Sequence, residues 1–349
     1  AVNIRRLPFS HKRASVVAYV LLYALSFIWL GSLLLVRHLR RRYDCIHVAT
    51  MPDALVFATV IPRLMGAKVL LDLHEPTPEL WVTKFGNRHK FLLYLQTKIE
   101  QWGIAYAHAA VTVTNELRDK LVERGACASK ISVVRNVCDE GTLQKPEEGK
   151  VIEKRPGFTL ITHGLIEERY GHTEMIRAVN SLRGRIPDLR LDIFGAGEFE
   201  PQLKQLVDEL ACSDLVTFPG FVPLETLFKN IHAADVAIIA MRRSPYSELI
   251  DTNKMYEYMA LHKPLIISKL KPIARQFDDS CVRFFEPGND EALAEGILEL
   301  FGSPEQREQH AEAAYQRYRM LQWEFSKQIY VDAVNGLVRP DRGHETSPA

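Results

Sequence analysis

The stretch Phe158 to Leu182 reads FTLITHGLIEERYGHTEMIRAVNSL, and the fold turns on how it is parsed. FTLITHG is an apolar, β-branched run that stops at a glycine, and a helical stretch follows it. The same alternation recurs downstream in LRLDIFG, LVTFPG, DVAIIA, PLIIS and CVRFF. Continuous apolar strands separated by helices predict a parallel sheet covered on both faces. This half therefore reads as a six-strand α/β unit, with further helices in the segment that ends the chain.

Working outward, the preceding half repeats the logic. CIHVAT precedes a helix expected from about Pro52. KVLLDL precedes a loop and then KFLLYLQTKIEQWGIAYAH. AAVTVT precedes NELRDKLVERG, with Asn115 in the N-cap region and Gly125 as the stop. KISVVRN closes the unit. Between the halves, DEGTLQKPEEGKVIEKRPG is polar, has no hydrophobic period and reads as a linker. The expected division is residues 1–147, a linker at 148–157, a second domain at 158–318 and a final segment at 319–349. A chain of 349 residues fits two cores.

The net charge of +1 conceals an asymmetry: residues 1–43 carry eight Lys/Arg and no acid, which leaves −7 for the rest. No nucleic-acid partner is expected. Five scattered cysteines without a C-x-x-C pair read as reduced thiols in a cytosolic protein. The run Ser15 to Val36 has no charge and is long enough to span a bilayer. Basic residues flank both ends, whereas a spanning helix concentrates them on one side. The expectation is a helix at about 15–36 lying on an anionic surface, with Tyr19, Tyr23 and Trp29 at headgroup level. A core helix and a true span are the alternatives.

A further stretch, LLDLHEPTPEL, ends an apolar strand on Asp72, His74 and Glu75, with Glu79 close behind. In open parallel sheets ligands bind beyond the carboxyl ends of strands. His74, Glu75 and Glu79 are candidates there; a solvated loop is the plain alternative.

The ordered set of segments resembles the retaining, family-4 glycosyltransferases of the GT-B fold. The second half carries it in FTLITHGLIEERYGHTEMIRAVNSL, LRLDIFGAGEFEPQLKQL, DLVTFPGFVPLETLFKNIHAADVAIIA and NKMYEYMALHKPLIIS. YDCIHVATMPD, GAKVLLDLHEPTPEL, AAVTVTNELRDKLVERG and KISVVRNVCDE carry it in the first. The resemblance implies two Rossmann-like domains facing across a cleft. The first would be the acceptor side, the second the nucleotide-sugar side, and a final helix around Trp323 would cross back. It also implies a strand, glycine-rich loop and helix ahead of Val2, which are not found, so the first domain reads as incomplete.

Site roles follow from the resemblance. Arg169 and Lys254 would hold the diphosphate, and Glu257 would hold the ribose hydroxyls. Gly164, Gly195, Gly197, Phe221 and Val222 would complete the donor side. His74 would reach the donor sugar, with Glu75 and Glu79 toward the acceptor. The first acid of the family's E-x7-E pattern falls on Leu249; Glu248 and Asp251 stand nearby. Charge building on a leaving diphosphate needs cations and oriented N–H groups, and Arg169 and Lys254 supply the cations. No D-x-D occurs, so transfer without a metal is expected. No cofactor is expected, since the nucleotide-sugar is a substrate.

The resulting expectation is hexose transfer from UDP- or GDP-sugar, with retention, to a lipid-linked or glycan acceptor. The enzyme would be cytoplasmic, peripheral to the inner face of the cell membrane, with a homodimer left open. Two alternatives stand: a sugar-nucleotide 2-epimerase of the same fold, and a catalytically lapsed membrane-associated partner subunit.

Overall fold

A computed structural model describes residues 16–86, 90–138, 141, 143 and 156–338. Most of the expected linker, and the basic residues Arg5, Arg6, Lys12 and Arg13, lie outside the described residues. The chain divides into two compact units. The first takes the chain up to Val113, Leu117–Val134 and the chain from Ile329; the second takes Thr114–Glu116 and Arg135–Gln328.

Unit 1 begins with helix α1 (Val16–Arg40) and strand β1 (Cys45–Ala49). A 3-10 segment (Asp53–Thr59) and α2 (Val60–Leu64) follow, then β2 (Lys68–Leu73), α3 (Thr77–Phe85) and α4 (Lys90–Tyr106). Strand β3 (Ala109–Thr112), α5 (Asn115–Glu123) and β4 (Ile131–Val133) complete it. The helix expected from Pro52 is thus a 3-10 segment that becomes α-helical only at Val60. The sheet order is β1-β2-β3-β4, parallel throughout. Central β2 explains its own composition: Val69, Leu70, Leu71 and Leu73 are buried on both faces, and Asp72 is its one buried acid.

Helix α1 packs against the 3-10 segment and α2. Gly31 faces Ala58 there: a Cβ on it would stand in ordinary contact, 3.7 Å from the Ala58 carbonyl oxygen. The other side of α1 is open: Leu25, Ile28, Ser32, Val36 and Leu39 recur at helical spacing and are exposed. Among the described residues no helix is long and apolar enough to cross a membrane.

Unit 2 alternates β5 (Phe158–Leu165), α6 (His172–Ser181), β6 (Leu189–Ala196), α7 (Glu200–Glu209) and β7 (Val216–Gly220). Then come α8 (Leu224–Ala233), β8 (Val236–Ile239), α9 (Asn253–Ala260), β9 (Leu265–Ser268), α10 (Lys271–Ala274) and β10 (Arg283–Phe285). Helices α11 (Asp290–Gly302), α12 (Pro304–Arg319) and α13 (Trp323–Val338) follow. Within α13, residues through Gln328 belong to unit 2 and those from Ile329 to unit 1.

The six strands run in the order β10-β9-β8-β5-β6-β7, all parallel. Apolar clusters form on both sheet faces. Ile161, Ile239 and Tyr258 belong to one, and Leu160, Ile238 and Leu191 to the other. Each such buried aliphatic side chain contributes about 1.5–3 kcal/mol. The order reverses at β5, which pairs β6 on one side and β8 on the other. That reversal opens a crevice at the carboxyl ends of β5 and β8, where loops depart to opposite faces. None of the five cysteines is in a disulfide.

Candidate functional site

Three chain segments meet at the reversal point of unit 2. Strand β5 ends in His163, Gly164 and Leu165, and the loop after it carries Glu167, Arg169 and Tyr170. Helix α9, which follows β8, begins at Asn253 and places Lys254 and Glu257 one turn apart. A Cβ built on Gly164 would stand 3.5 Å from Lys254 Nζ, so the lysine lies over the β5 terminus.

Two aromatic rings hold the cations. Lys254 Nζ is 4.6 Å from the centre of the Tyr170 ring. The Arg169 guanidinium lies 5.0 Å from that ring and 4.8 Å from the ring of Tyr246. Arg169 Nε also lies 2.8 Å from Glu167 Oε2 in an ion pair. Rings on two sides orient the planar guanidinium and restrict water around it. Burial lowers the Lys254 pKa to about 8; Glu257 opposes the shift and Arg169 adds to it. His172, at the start of α6, is buried and kept neutral, its pKa lowered to about 3 by burial and then by Lys254.

Glu257 is held from below. Its Oε2 accepts from His163 Nε2 at 2.8 Å, and His163 Nδ1 lies 2.7 Å from the buried Tyr258 hydroxyl. Burial raises the Tyr258 pKa well above that of a free phenol. Sequence reasoning missed His163 and His172. The signal for His163 was a histidine, directly before a glycine, at the end of an otherwise apolar strand.

The remaining donor-side candidates are placed less closely. Gly195 has φ +120, and a Cβ there would fall 1.8 Å from the Gly164 carbonyl oxygen. A Cβ on Gly197 would fall 2.0 Å from that of Ile166. Both glycines are therefore required by backbone packing between the β5 and β6 ends. Phe221 is 90% exposed beyond β7, and Val222 packs against the core. Their loop follows edge strand β7, two strands from β5.

Neither acid near Leu249 reaches this cluster of side chains. Glu248 accepts from Arg243 Nε at 2.9 Å. Asp251 Oδ2 accepts from the Tyr256 hydroxyl at 2.6 Å and from Gln276 Nε2 at 3.3 Å. Both are engaged in holding loops.

In unit 1, Asp72 ends β2 as a shared acceptor. His47 Nε2 and His74 Nε2 each lie 3.0 Å from its Oδ2. Tyr330 of α13 places its hydroxyl 3.1 Å from His47 Nδ1. The bond to Asp72 raises the His74 pKa against the effect of burial. Burial would raise Asp72, but the two histidines outweigh it and hold it below the usual carboxylate value. Glu75 is half-buried beside His74 and adds to the upward shift of that ring.

Glu79 departs from its expected place on an open acceptor side. It is 7% exposed and ion-paired to Arg124, which also donates to Glu100 Oε1 at 3.0 Å. The three side chains tie α3, α4 and the end of α5 together. A buried carboxylate with such a partner has a structural task.

Comparison with known proteins follows the same division. Residues 5–141 match the family Glycosyltransferase Family 4, and residues 144–317 match Glycosyl transferases group 1. EpsD of Bacillus subtilis, named as a glycosyltransferase, is 26% identical over 275 residues, 75% of this chain and 68% of EpsD. The lipopolysaccharide core biosynthesis glycosyltransferase LpsD of Rhizobium meliloti is 28% identical over 234 residues, 67% of this chain and 63% of LpsD. The 2-deoxystreptamine glucosyltransferase of Streptomyces kanamyceticus is 24% identical over 251 residues, 68% of this chain and 64% of that protein. The chain thus spans less than two thirds of the length of the last two. Among solved structures, Anabaena Alr3699/HepE in complex with UDP-glucose superposes with a TM-score of 0.72 at 15% identity, covering 88% of this chain and 82% of that one. With a glycosyltransferase family matched in each half and two parallel-sheet Rossmann-like units, the chain belongs to the glycosyltransferases of the GT-B fold.

Proposed function

We propose that this chain moves a hexose from a UDP- or GDP-sugar to a lipid-linked or glycan acceptor, with retention, in polysaccharide or glycolipid assembly. One observation carries the reading: Arg169, Lys254 and Glu257 converge at the reversal point of the unit 2 sheet. Two cations suit a departing diphosphate, whose charge grows as the glycosidic bond breaks. A carboxylate beside them suits two vicinal ribose hydroxyls. In unit 1, His74 is assigned to a sugar hydroxyl, its ring steadied by Asp72.

The names of the relatives support the substrate class. HepE is described in complex with UDP and with UDP-glucose, and LpsD is named for lipopolysaccharide core biosynthesis. The exposed apolar stripe of α1, ending in Arg37, Arg40, Arg41 and Arg42, supports peripheral attachment to the inner face of the cell membrane.

The test is thermal stabilisation by a panel of UDP- and GDP-sugars, followed by transfer to lipid-linked and free glycan acceptors. One nucleotide-sugar should raise the melting temperature, and activity should survive EDTA. Stabilisation by none would sink the reading, and a strict requirement for Mg²⁺ or Mn²⁺ would remove Arg169 and Lys254 from the leaving-group role.

A further inference from the structure

Unit 1 holds a cavity of about 470 Å³ that the roles above leave unused. It lies between the Met51–Ala54 turn after β1 and the facing sides of α3 and α4. This is the carboxyl end of β1 and β2, the ligand side of a parallel sheet. Thr77, on its wall, is three residues beyond His74. Small-molecule sites occupy about 300–1,000 Å³, and this cavity falls within that range.

The walls are apolar: Met51, Ala54, Leu80, Trp81, Phe85 and Ile99. The polar groups are few: Asp53, Thr77 and Gln96, with the buried indole nitrogen of Trp81 and the exposed Lys84 also on the lining. Asp53 is 7% exposed, and its Oδ1 accepts from Thr77 Oγ1 at 3.1 Å. Gln96 Oε1 is buried with no hydrogen-bond partner among the described residues. Both of these oxygens are acceptors, so a group seated against them must donate. Burial lifts the Asp53 pKa to about 6, which also disfavours a second negative charge nearby.

The cavity does not end at its mouth. Phe85 lines it yet is more than half exposed. Leu92 sits one turn before Gln96 on the same face of α4 and is exposed, and Phe91 and Leu95 flank it. A compact ring would leave that apolar strip in water. An extended chain would cover it.

We infer that this cavity binds the hydrocarbon chain of an uncharged amphiphile whose hydroxyl donates to Asp53 or Gln96, and that the transferase's acceptor is an alcohol of this class. The inference rests on the reading of unit 1 as the acceptor half and narrows that acceptor to one chemistry.

The experiment titrates the chain, without any nucleotide-sugar, with a long-chain alcohol brominated in its tail, and follows tryptophan fluorescence. Bromine quenches on contact, and Trp81 is the reporter in the wall. Quenching should saturate, be reversed by the unbrominated parent alcohol, and be mostly lost in Trp81→Phe. Ala54→Phe and Ile99→Phe fill the cavity from opposite sides and should each weaken binding about tenfold or more. Circular dichroism and melting curves establish that each variant is folded. Linear quenching that the parent alcohol does not reverse would overturn the inference. So would saturable quenching unchanged in the filled variants, or tighter binding of the matching carboxylate. Saturable binding in a chain that no nucleotide-sugar stabilises would sink the transferase reading and leave the alcohol site standing.

Discussion

His163 Nε2 lies 2.8 Å from Glu257 Oε2, and the histidine is itself braced at 2.7 Å by the buried hydroxyl of Tyr258. One carboxylate oxygen is committed inside the protein, which fixes the direction in which the other points. Glu257→Ala should therefore weaken binding of the matching nucleotide by about 2–3 kcal/mol, the scale of hydrogen bonds to a charged group. His163→Ala should cost about 1 kcal/mol, because Glu257 survives but loses its brace. Calorimetry with UDP and with GDP reads both. Unchanged affinity for both nucleotides in Glu257→Ala would remove this residue from the site.

Lys254 should make nucleotide affinity depend on pH. Its pKa of about 8 means that the free site loses a positive charge as pH rises through that value. Diphosphate binding requires the charge, so affinity falls on the alkaline side. Lys254→Arg keeps the cation at all pH values in use and should flatten the profile. A steep alkaline loss that persists in Lys254→Arg would assign the titration elsewhere.

Glu100 should set a slope in stability. Burial raises its pKa from 4.5 to about 7, although Arg124 pulls the other way. Between those values the folded state holds a proton that the unfolded chain has released. Stability therefore falls as pH climbs from about 4.5 to about 7, by on the order of 1–3 kcal/mol. Asp53, raised to about 6, adds in the same sense. Urea unfolding across this window should show the slope, and Glu100→Gln should reduce it. A wild-type profile that is flat here would mean that Arg124 keeps Glu100 ionised throughout.

Helix α1 should bind anionic vesicles without crossing them. Each basic residue near such a surface is worth about 1 kcal/mol, and salt screens that part. Leu25, Ile28, Val36 and Leu39 add a part that salt leaves intact. Sedimentation should show binding to anionic lipid, much weaker binding to neutral lipid and partial release at high salt. Replacing Arg40, Arg41 and Arg42 with Gln should cut the anionic preference without unfolding the chain. Equal binding to both lipids would contradict an electrostatic surface helix.

The strands of unit 2 were legible because a strand buried on both faces must be apolar nearly throughout, and FTLITHG, DVAIIA and PLIIS are. Arg169, Lys254 and Glu257 were legible through resemblance, and the structure brings those three together. His163 was not legible, because its partners lie 94 and 95 residues away and no local spacing announces them. The burial of Glu79 was not legible for a related reason: Arg124, 45 residues later, draws it inside. The glycines near Gly195 were legible as a turn, but only the approach of two backbones explains why no side chain fits there.

The sharing of one Asp72 oxygen by two histidines has a consequence for proton traffic. An ionised carboxylate only accepts, so both His47 and His74 must carry hydrogen on Nε2. A neutral His47 then accepts a hydrogen bond from the Tyr330 hydroxyl at Nδ1, and the chain of donors runs one way, from phenol through imidazole to acid. Neutral His74 is left with a bare lone pair on Nδ1. In that state it can receive a hydrogen bond from a hydroxyl but has none to give. A methylated sugar oxygen, which has no hydrogen to offer, would find nothing to hold on this ring until the ring takes up a proton, which the bond to Asp72 favours.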